Sequence, residues 1–185
     1  MSIADYLSTA TNHLSKLKKT KTPCFYLDTS VPDALFQTKD QLIVKYNQIR
    51  QAATTEFWTR LENGTYIACT SEVYFREVEE VSEPKKSALI DIVSKLPKIT
   101  ISAEIERISK IYVSKVPLPK KKTNDALHLA TATVNGIDAV VTWNFEDMLK
   151  CKTINKIRKI NKALNLKEDI LIVTPLEVLR AYKNE

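Results

Sequence analysis

The stretch that decides the fold class is Cys24-Phe25-Tyr26-Leu27-Asp28-Thr29-Ser30. Its first four residues form an apolar run of the length typical of a buried β-strand, and the polar residues after them mark the end of that strand. Further short apolar runs occur at 66–69, 99–101, 139–142 and 170–173. The sequence therefore predicts five short strands, the first of which is followed directly by a carboxylate.

Helical patterns separate these strands. Apolar residues recur with helical spacing in 42–61, 71–82, 84–95, 103–115, 124–135, 145–163 and 175–183, of which 145–163 is expected to be broken. Strands that alternate with helices indicate βαβ units, and so a parallel sheet covered by helices on both faces. Residues 1–22 precede this pattern and form an amphipathic helical extension of the domain at 23–185, with an apolar side that must pack on the domain or on a second subunit.

Composition excludes several classes of protein. The chain has 185 residues, which suits one domain, and 28 basic against 22 acidic residues give a net charge of +6, weakly favouring a polyanionic partner. Its 2 glycines lie far apart, which excludes a P-loop and a dinucleotide-binding turn. The 3 scattered cysteines argue against disulfides and structural zinc, and no apolar run is long enough to span a membrane. We therefore expect a cytoplasmic protein.

Three polar residues lie where parallel strands end or where helices begin. Asp28 follows the first strand, Asn144 follows the fourth after Trp143, and Asp125 lies in the first turn of a helix that Thr123 can cap. Each one alone has a simpler interpretation as a cap, a turn residue or a first-turn acid that the helix dipole stabilises. Ligands of open parallel sheets bind beyond the carboxyl ends of the strands. The shared position of these three polar residues therefore favours a ligand-binding site.

Glu77 is a fourth candidate because it lies on the apolar side of a predicted helix, four residues from both Val73 and Val81. A carboxylate in that position is unexpected unless it is paired or binds a metal. Several carboxylates in one cleft repel one another, and a hard divalent cation such as Mg²⁺ or Mn²⁺ relieves that repulsion. Such a site can activate water and neutralise the charge of a phosphodiester.

Four segments, in this order, resemble a PIN-domain nuclease of the VapC-like toxin type. They are 25–30, 71–77, Asp125-Ala126-Leu127-His128-Leu129-Ala130 and Val141-Thr142-Trp143-Asn144-Phe145. The resemblance covers about residues 24–178, and the Asp-Ala-Leu-His segment is its most specific part. It implies a three-layer α/β/α sandwich with a central, mostly parallel five-stranded sheet, and ribonuclease activity that depends on Mg²⁺ or Mn²⁺.

The resemblance also implies roles for individual residues. Asp28 and Asp125 match the principal metal ligands, and Glu77 matches the acid that completes the metal site. Asn144 is the fourth catalytic position, where many members carry a further Asp, so an uncharged amide stands there and a second metal is in question. Ser30 is expected to hydrogen-bond Asp28 and so to orient this metal ligand.

Further residues have two interpretations each. His128 could act as a general base, although a packed, hydrogen-bonded histidine is the favoured interpretation. Trp143 could stack on a base, although a core position is favoured for so large a ring. Four lysines near the predicted site could bind RNA or simply belong to a solvated face, namely Lys120, Lys121, Lys122 and Lys152.

The same resemblance implies RNA as substrate, a possible protein antitoxin as partner, and a homodimer. A housekeeping role in RNA processing fits the same residues. An RNA-binding or protein-interaction module without catalysis also stays open, because of the amide at Asn144. A haloacid-dehalogenase-type phosphatase is disfavoured because it needs a second Asp two positions after Asp28, where this chain has Ser30.

Overall fold

A computed structural model describes residues 2–116 and 123–183 of the chain. Within these ranges one sheet is formed by β1 (Cys24–Leu27), β2 (Ile67–Ser71), β3 (Lys98–Ile99), β4 (Ala139–Val141) and β5 (Leu171–Val173). The strand order is β3-β2-β1-β4-β5, and every neighbouring pair is parallel. The predicted five-stranded parallel sheet is therefore confirmed, with each strand within about two residues of its expected bounds.

The helices of the described ranges are α1 (Ile3–Leu17), α2 (Ser30–Asp33), α3 (Lys45–Glu62), α4 (Glu72–Val78), α5 (Lys85–Val93), α6 (Ala103–Lys115), α7 (Thr123–Val134), α8 (Cys151–Ala163) and α9 (Pro175–Ala181). A 3₁₀ turn at Gln41–Ile43 delays the start of the helix predicted at 42–61. The predicted helix at 145–163 begins only at Cys151, after turns. None of the helices in the described ranges is long and apolar enough to span a bilayer.

Side chains of β1 show that helices cover both faces of the sheet. Successive residues of a strand point to opposite faces. The ring of Phe25 packs 6.2 Å from that of Phe57 in α3, whereas the ring of Tyr26 packs 5.5 Å from that of His128 in α7. Helices α3 and α7 therefore lie on opposite faces, in agreement with the predicted three-layer α/β/α arrangement.

The N-terminal helix packs on the same core. Tyr6, Ala10 and Leu14 are buried, and α1 contacts α9 and β5. The Tyr6 hydroxyl accepts a hydrogen bond of 2.8 Å from the backbone N–H of Ile172 in β5. The apolar side of the predicted extension is thus covered by the domain itself.

The strand order reverses at β1, because β2 and β3 lie on one side of it and β4 and β5 on the other. Such a reversal opens a crevice between the carboxyl ends of the two strands concerned, here β1 and β4. Asp28 directly follows β1, and Asn144 is the third residue after β4. The fold therefore brings these two candidates to the crevice.

Candidate active site

A pocket of about 710 Å³ opens at the carboxyl ends of β1 and β4. The four candidates Asp28, Glu77, Asp125 and Asn144 all line it, and so does Ser30. They come from four elements far apart in sequence: the exit of β1, helix α4, the first turn of α7 and the exit of β4. The structure thus brings the predicted catalytic residues together.

Asp28 is buried and fully engaged by neighbouring hydroxyls. Its Oδ1 atom accepts hydrogen bonds from the Ser30 hydroxyl at 2.6 Å and the Ser30 N–H at 3.2 Å, and Oδ2 accepts one from Thr142 Oγ1 at 2.7 Å. The Ser30 hydroxyl oxygen also accepts the N–H of Trp143 at 2.8 Å, which ties the exits of β1 and β4 together. Burial raises the pKa of the Asp28 carboxyl, although His128 and the two hydroxyls oppose that rise.

Glu77 is held in the pocket by hydrogen bonds from two other elements. Its Oε2 atom lies 3.1 Å from Nε2 of His128 and also accepts a hydrogen bond from the Thr29 hydroxyl. His128 is buried, and its Nδ1 atom is hydrogen-bonded at 2.6 Å to the hydroxyl of Tyr26, which in turn contacts Ser71 Oγ at 2.7 Å. His128 is therefore the packed, hydrogen-bonded histidine that its sequence position favours.

The charges of His128 and Glu77 stabilise each other. Burial alone would lower the pKa of His128, but the hydrogen bond and charge of Glu77, with Asp28 and Asp125, raise that pKa above its ordinary value. Burial alone would raise the pKa of Glu77, yet the hydrogen bonds from His128 and Thr29 bring it below its usual range. An imidazolium paired with a carboxylate is the state that the surroundings favour.

Asn144 uses both ends of its amide. The Oδ1 atom accepts the backbone N–H of Asp147 at 3.0 Å, and the Nδ2 atom donates to Asp125 Oδ1 at 3.3 Å. The opposite orientation of the amide would set its oxygen against a carboxylate and its NH₂ against an N–H, so the network fixes the assignment. Asn144 caps the turn after β4, as a simple interpretation of the sequence predicted, and also fixes Asp125.

The candidate RNA-binding lysines fall in two places. Lys120, Lys121 and Lys122 lie outside the described residues. Lys152 is exposed in the first turn of α8 and lines a second cavity, of about 550 Å³. Phe145 lines both this cavity and the acidic pocket, so the two cavities adjoin at this ring, and Lys152 does not line the acidic pocket.

Several residues that line the pocket, or that hydrogen-bond to its lining from behind, carry no functional signal in the sequence. Tyr26 is indistinguishable from any apolar residue of a buried strand, and Tyr46 and Arg50 fit the pattern of an ordinary amphipathic helix. Thr142 is the exception, because its place at the end of a predicted strand, beside the expected crevice, is a signal that could have identified it.

The donor set suits a hard divalent cation better than a soft one, because Asp28, Asp125 and Glu77 offer only carboxylate oxygens. In residues 2–116 and 123–183 no group of three or more His, Cys, Asp and Glu side chains is placed so that it could hold a metal ion. Mg²⁺ does not need such a group, since it commonly binds one or two carboxylates and keeps several waters. Asp28 and Asp125 are the pair that could hold it, and the raised pKa of Asp28 reflects a burial cost that a bound cation would offset.

No protein-family model matches the chain, and no curated protein matches its sequence. Among solved structures, the chain is similar to the crystal structure of VapC20 of Mycobacterium tuberculosis, a toxin that cleaves the sarcin-ricin loop. The two share 14% sequence identity with a TM-score of 0.50, over 66% of this chain and 91% of VapC20. At that identity the likeness concerns the fold alone, and it gives this chain a PIN-like α/β/α fold.

Proposed function

We propose that this chain is an endoribonuclease that depends on Mg²⁺ or Mn²⁺, of the VapC-like toxin type. The observation that carries the proposal is the shared position of Asp28, Glu77 and Asp125 in one pocket at the reversal of strand order. Burying carboxylates costs folding free energy. Three carboxylates brought together from separate elements therefore indicate a functional site and not a stabilising one.

Asp28 and Asp125 are the residues that would hold the cation. When bound, such a cation would supply positive charge to the phosphate and lower the pKa of a bound water, so that the water gives up its proton to a base more readily. The hydroxyls of Ser30 and Thr142 fix the Asp28 carboxylate, and the amide of Asn144 fixes Asp125. These hydrogen bonds restrict both carboxylates to one orientation before a ligand arrives.

Glu77 is assigned to orient the attacking water or to complete the ligands of the cation. Its pKa is lowered, so it remains ionised and is a weak base near neutral pH. Its hydrogen bonds to His128 and Thr29 hold the carboxylate at the edge of the pocket. Asn144 is assigned as a positioning residue, because its amide oxygen accepts the N–H of Asp147 and its amide nitrogen contacts Asp125.

Partners follow from the same proposal. RNA is the substrate, a protein antitoxin would block the pocket, and the active form is a homodimer in the cytoplasm. The free state of Cys24, Cys69 and Cys151 supports a reducing compartment. The domain boundary proposed between residues 22 and 23 leaves α1 as an extension that stabilises β5 and α9.

A module that binds RNA without cleaving it is the second candidate. The observation that favours it is the Nδ2 donation of Asn144 to Asp125, since an amide stands where a further carboxylate would strengthen cation binding. Cleavage distinguishes the two candidates, because both predict RNA binding.

The test is cleavage of mixed cellular RNA by the purified protein with Mg²⁺ or Mn²⁺, with and without EDTA. Asp28→Asn and Asp125→Asn keep the side-chain volume and remove one charge each. Asp91→Asn, an exposed position on α5, is the matched control. We expect the wild type and the control to cleave only without EDTA, and both site variants to lose at least about 100-fold in rate. Folded wild type that binds RNA but does not cleave it would favour the second candidate.

A further inference from the structure

The wall of the pocket beside the acids is aromatic and carries one arginine. It is built by Tyr46 and Arg50 of α3 together with Trp143 and Phe145 after β4. Residues 46, 50 and 54 are four apart, so they share one side of α3. Thr54 accepts the indole N–H of Trp143 at 2.9 Å, which fixes the buried Trp143 ring beneath this side of the helix.

Arg50 is placed against rings rather than against an acid. Its guanidinium carbon lies 5.7 Å from the ring centroids of both Tyr46 and Trp143. Its Nε atom is buried and has no hydrogen-bond partner among the described residues. The histidine of the same pocket is already paired with Glu77. Arg50 is therefore the guanidinium through which this wall of the pocket can receive an anion.

Two rings at the mouth of the pocket are exposed. Tyr46 is 46% exposed and Phe145 is 38% exposed, and their centroids are 6.5 Å apart. Trp143, for which the sequence suggested base stacking, is only 5% exposed, so its ring has almost no free face on which a base could stack. Exposed aromatic side chains beside a cation are the usual platform on which the bases of a single strand stack.

The surface beyond Phe145 is basic. The second cavity, which shares Phe145 with the acidic pocket, is also lined by Lys150 and Lys152. A nucleotide strand that leaves the pocket across Phe145 would meet these two ammonium groups. This charge pattern fits a phosphate backbone, because lysines neutralise phosphates without regard to sequence.

We propose that Tyr46, Arg50 and Phe145 form a subsite for an unpaired nucleotide next to the scissile bond. Arg50 binds a backbone phosphate, and the adjacent base stacks on the ring of Tyr46, with Phe145 bordering it at an interplanar angle of 65°. The inference rests on the proposed function in taking RNA as the ligand, and it extends that function by assigning contact with a base to residues of α3 and of the segment after β4. A base inside a duplex is already stacked on its neighbours and presents no free face to the rings.

The test compares two fluorescent probes of equal length, an oligoadenylate and an oligomer with a tetrahydrofuran spacer in place of every nucleoside. Both carry the same phosphates, but only the first carries bases. Binding is measured by fluorescence anisotropy with Ca²⁺ in place of Mg²⁺ and Mn²⁺. We expect the wild type to bind the oligoadenylate about fivefold to 100-fold more tightly than the abasic probe.

Variants separate stacking from apolar contact. Tyr46→Leu keeps an apolar side chain without a ring and should remove most of the preference for the oligoadenylate. Tyr46→Phe keeps the ring and should retain that preference. Arg50→Gln should weaken the binding of both probes by a similar factor. Ile43→Ser changes an exposed apolar residue near the subsite but outside the pocket, and it should change neither affinity.

Equal binding of the two probes by the wild type would overturn the subsite, as would an unchanged preference in Tyr46→Leu. If Ile43→Ser and Tyr46→Leu instead lowered the sedimentation mass of the protein and left RNA binding intact, the surface would be a contact between protein chains. Retained base preference without metal-dependent cleavage would overturn the nuclease and leave the subsite. Metal-dependent cleavage without a preference for the oligoadenylate would overturn the subsite and leave the nuclease.

Discussion

The Nε2 atom of His128 lies 3.1 Å from the Oε2 atom of Glu77, so a histidine of α7 holds a carboxylate of α4 at the edge of the acidic pocket. The other ring nitrogen contacts the Tyr26 hydroxyl of β1 at 2.6 Å. One buried side chain thus links three elements that meet beneath the pocket.

Replacing His128 by Phe should destabilise the protein by about 2–4 kcal/mol. The ring fits a similar volume, but it removes one hydrogen-bond partner from the Tyr26 hydroxyl and one from the Glu77 carboxylate. Urea unfolding with EDTA present measures this loss. The double variant with Glu77→Gln should lose less than the sum of the single variants, because the two residues act as a pair. Strictly additive losses would show that the pair is not coupled.

Asp28→Asn should abolish cleavage and yet stabilise the metal-free protein by about 0.5–2 kcal/mol. Burial raises the pKa of Asp28, which means that its ionised form is less stable in the folded protein than in the unfolded chain. An amide of the same shape removes that cost, and its oxygen can still accept from Ser30 while its NH₂ group donates to the Thr142 hydroxyl oxygen. Urea unfolding in EDTA at neutral pH measures the free energy of unfolding of Asp28→Asn and of the wild type. Lower stability of Asp28→Asn would mean that the charge is stabilising.

The sequence predicted the parallel sheet and the meeting of Asp28 with Asn144 for one physical reason. Carboxyl ends of parallel strands share an edge, so residues that follow β1 and β4 must be neighbours. The bounds of β1, Cys24–Leu27, match the predicted run because a short apolar segment with a polar end is unambiguous.

Other features depend on contacts that no local pattern encodes. The partners of His128 come from β1 and α4, and only the folded arrangement brings them together. Tyr46 and Ile49 fit the apolar period of a helix, yet both are exposed in α3. A period identifies a helix, but it does not show whether the residues of its first turns have neighbours to bury them.

Asn144→Asp should bind Mn²⁺ about tenfold more tightly than the wild type, because a further carboxylate joins those of Asp28, Asp125 and Glu77 in the pocket. It should also lower the stability of the metal-free protein by about 1–2 kcal/mol, since the Nδ2 donor to Asp125 is replaced by a like charge. The acceptor for the Asp147 N–H is retained. Calorimetric titration and urea unfolding measure the two effects. Weaker Mn²⁺ binding would show that Asn144 serves the site only by fixing Asp125.

Asp138 stabilises the opposite end of the sheet. Its Oδ2 atom accepts the N–H of Cys24 at 3.0 Å, and its Oδ1 atom pairs with Lys21 at 2.7 Å and Lys167 at 2.8 Å. Burial opposes ionisation, but the Cys24 N–H and the two ammonium groups prevail and lower the pKa of Asp138. Because the folded pKa is below the unfolded one, this stabilisation is complete above the unfolded value and is lost as the pH falls through the folded value.

Asp138→Asn should therefore lower stability by about 1–3 kcal/mol at neutral pH. The difference from the wild type should shrink as the pH falls below the ordinary aspartate value of 3.8. Urea unfolding across this pH range, with Asp91→Asn as an exposed control, measures both parts. A difference that grew towards acid pH would mean that the paired carboxylate costs stability.

The central claim is that Asp28 and Asp125 together hold a divalent cation, and Mn²⁺ binding tests it most directly. Isothermal titration calorimetry would be run on the metal-free wild type, Asp28→Asn, Asp125→Asn and the control Asp91→Asn. We expect the wild type and the control to bind Mn²⁺ alike, and each site variant to bind it at least about tenfold more weakly. Unchanged binding in both site variants, or no binding by folded wild type, would contradict it.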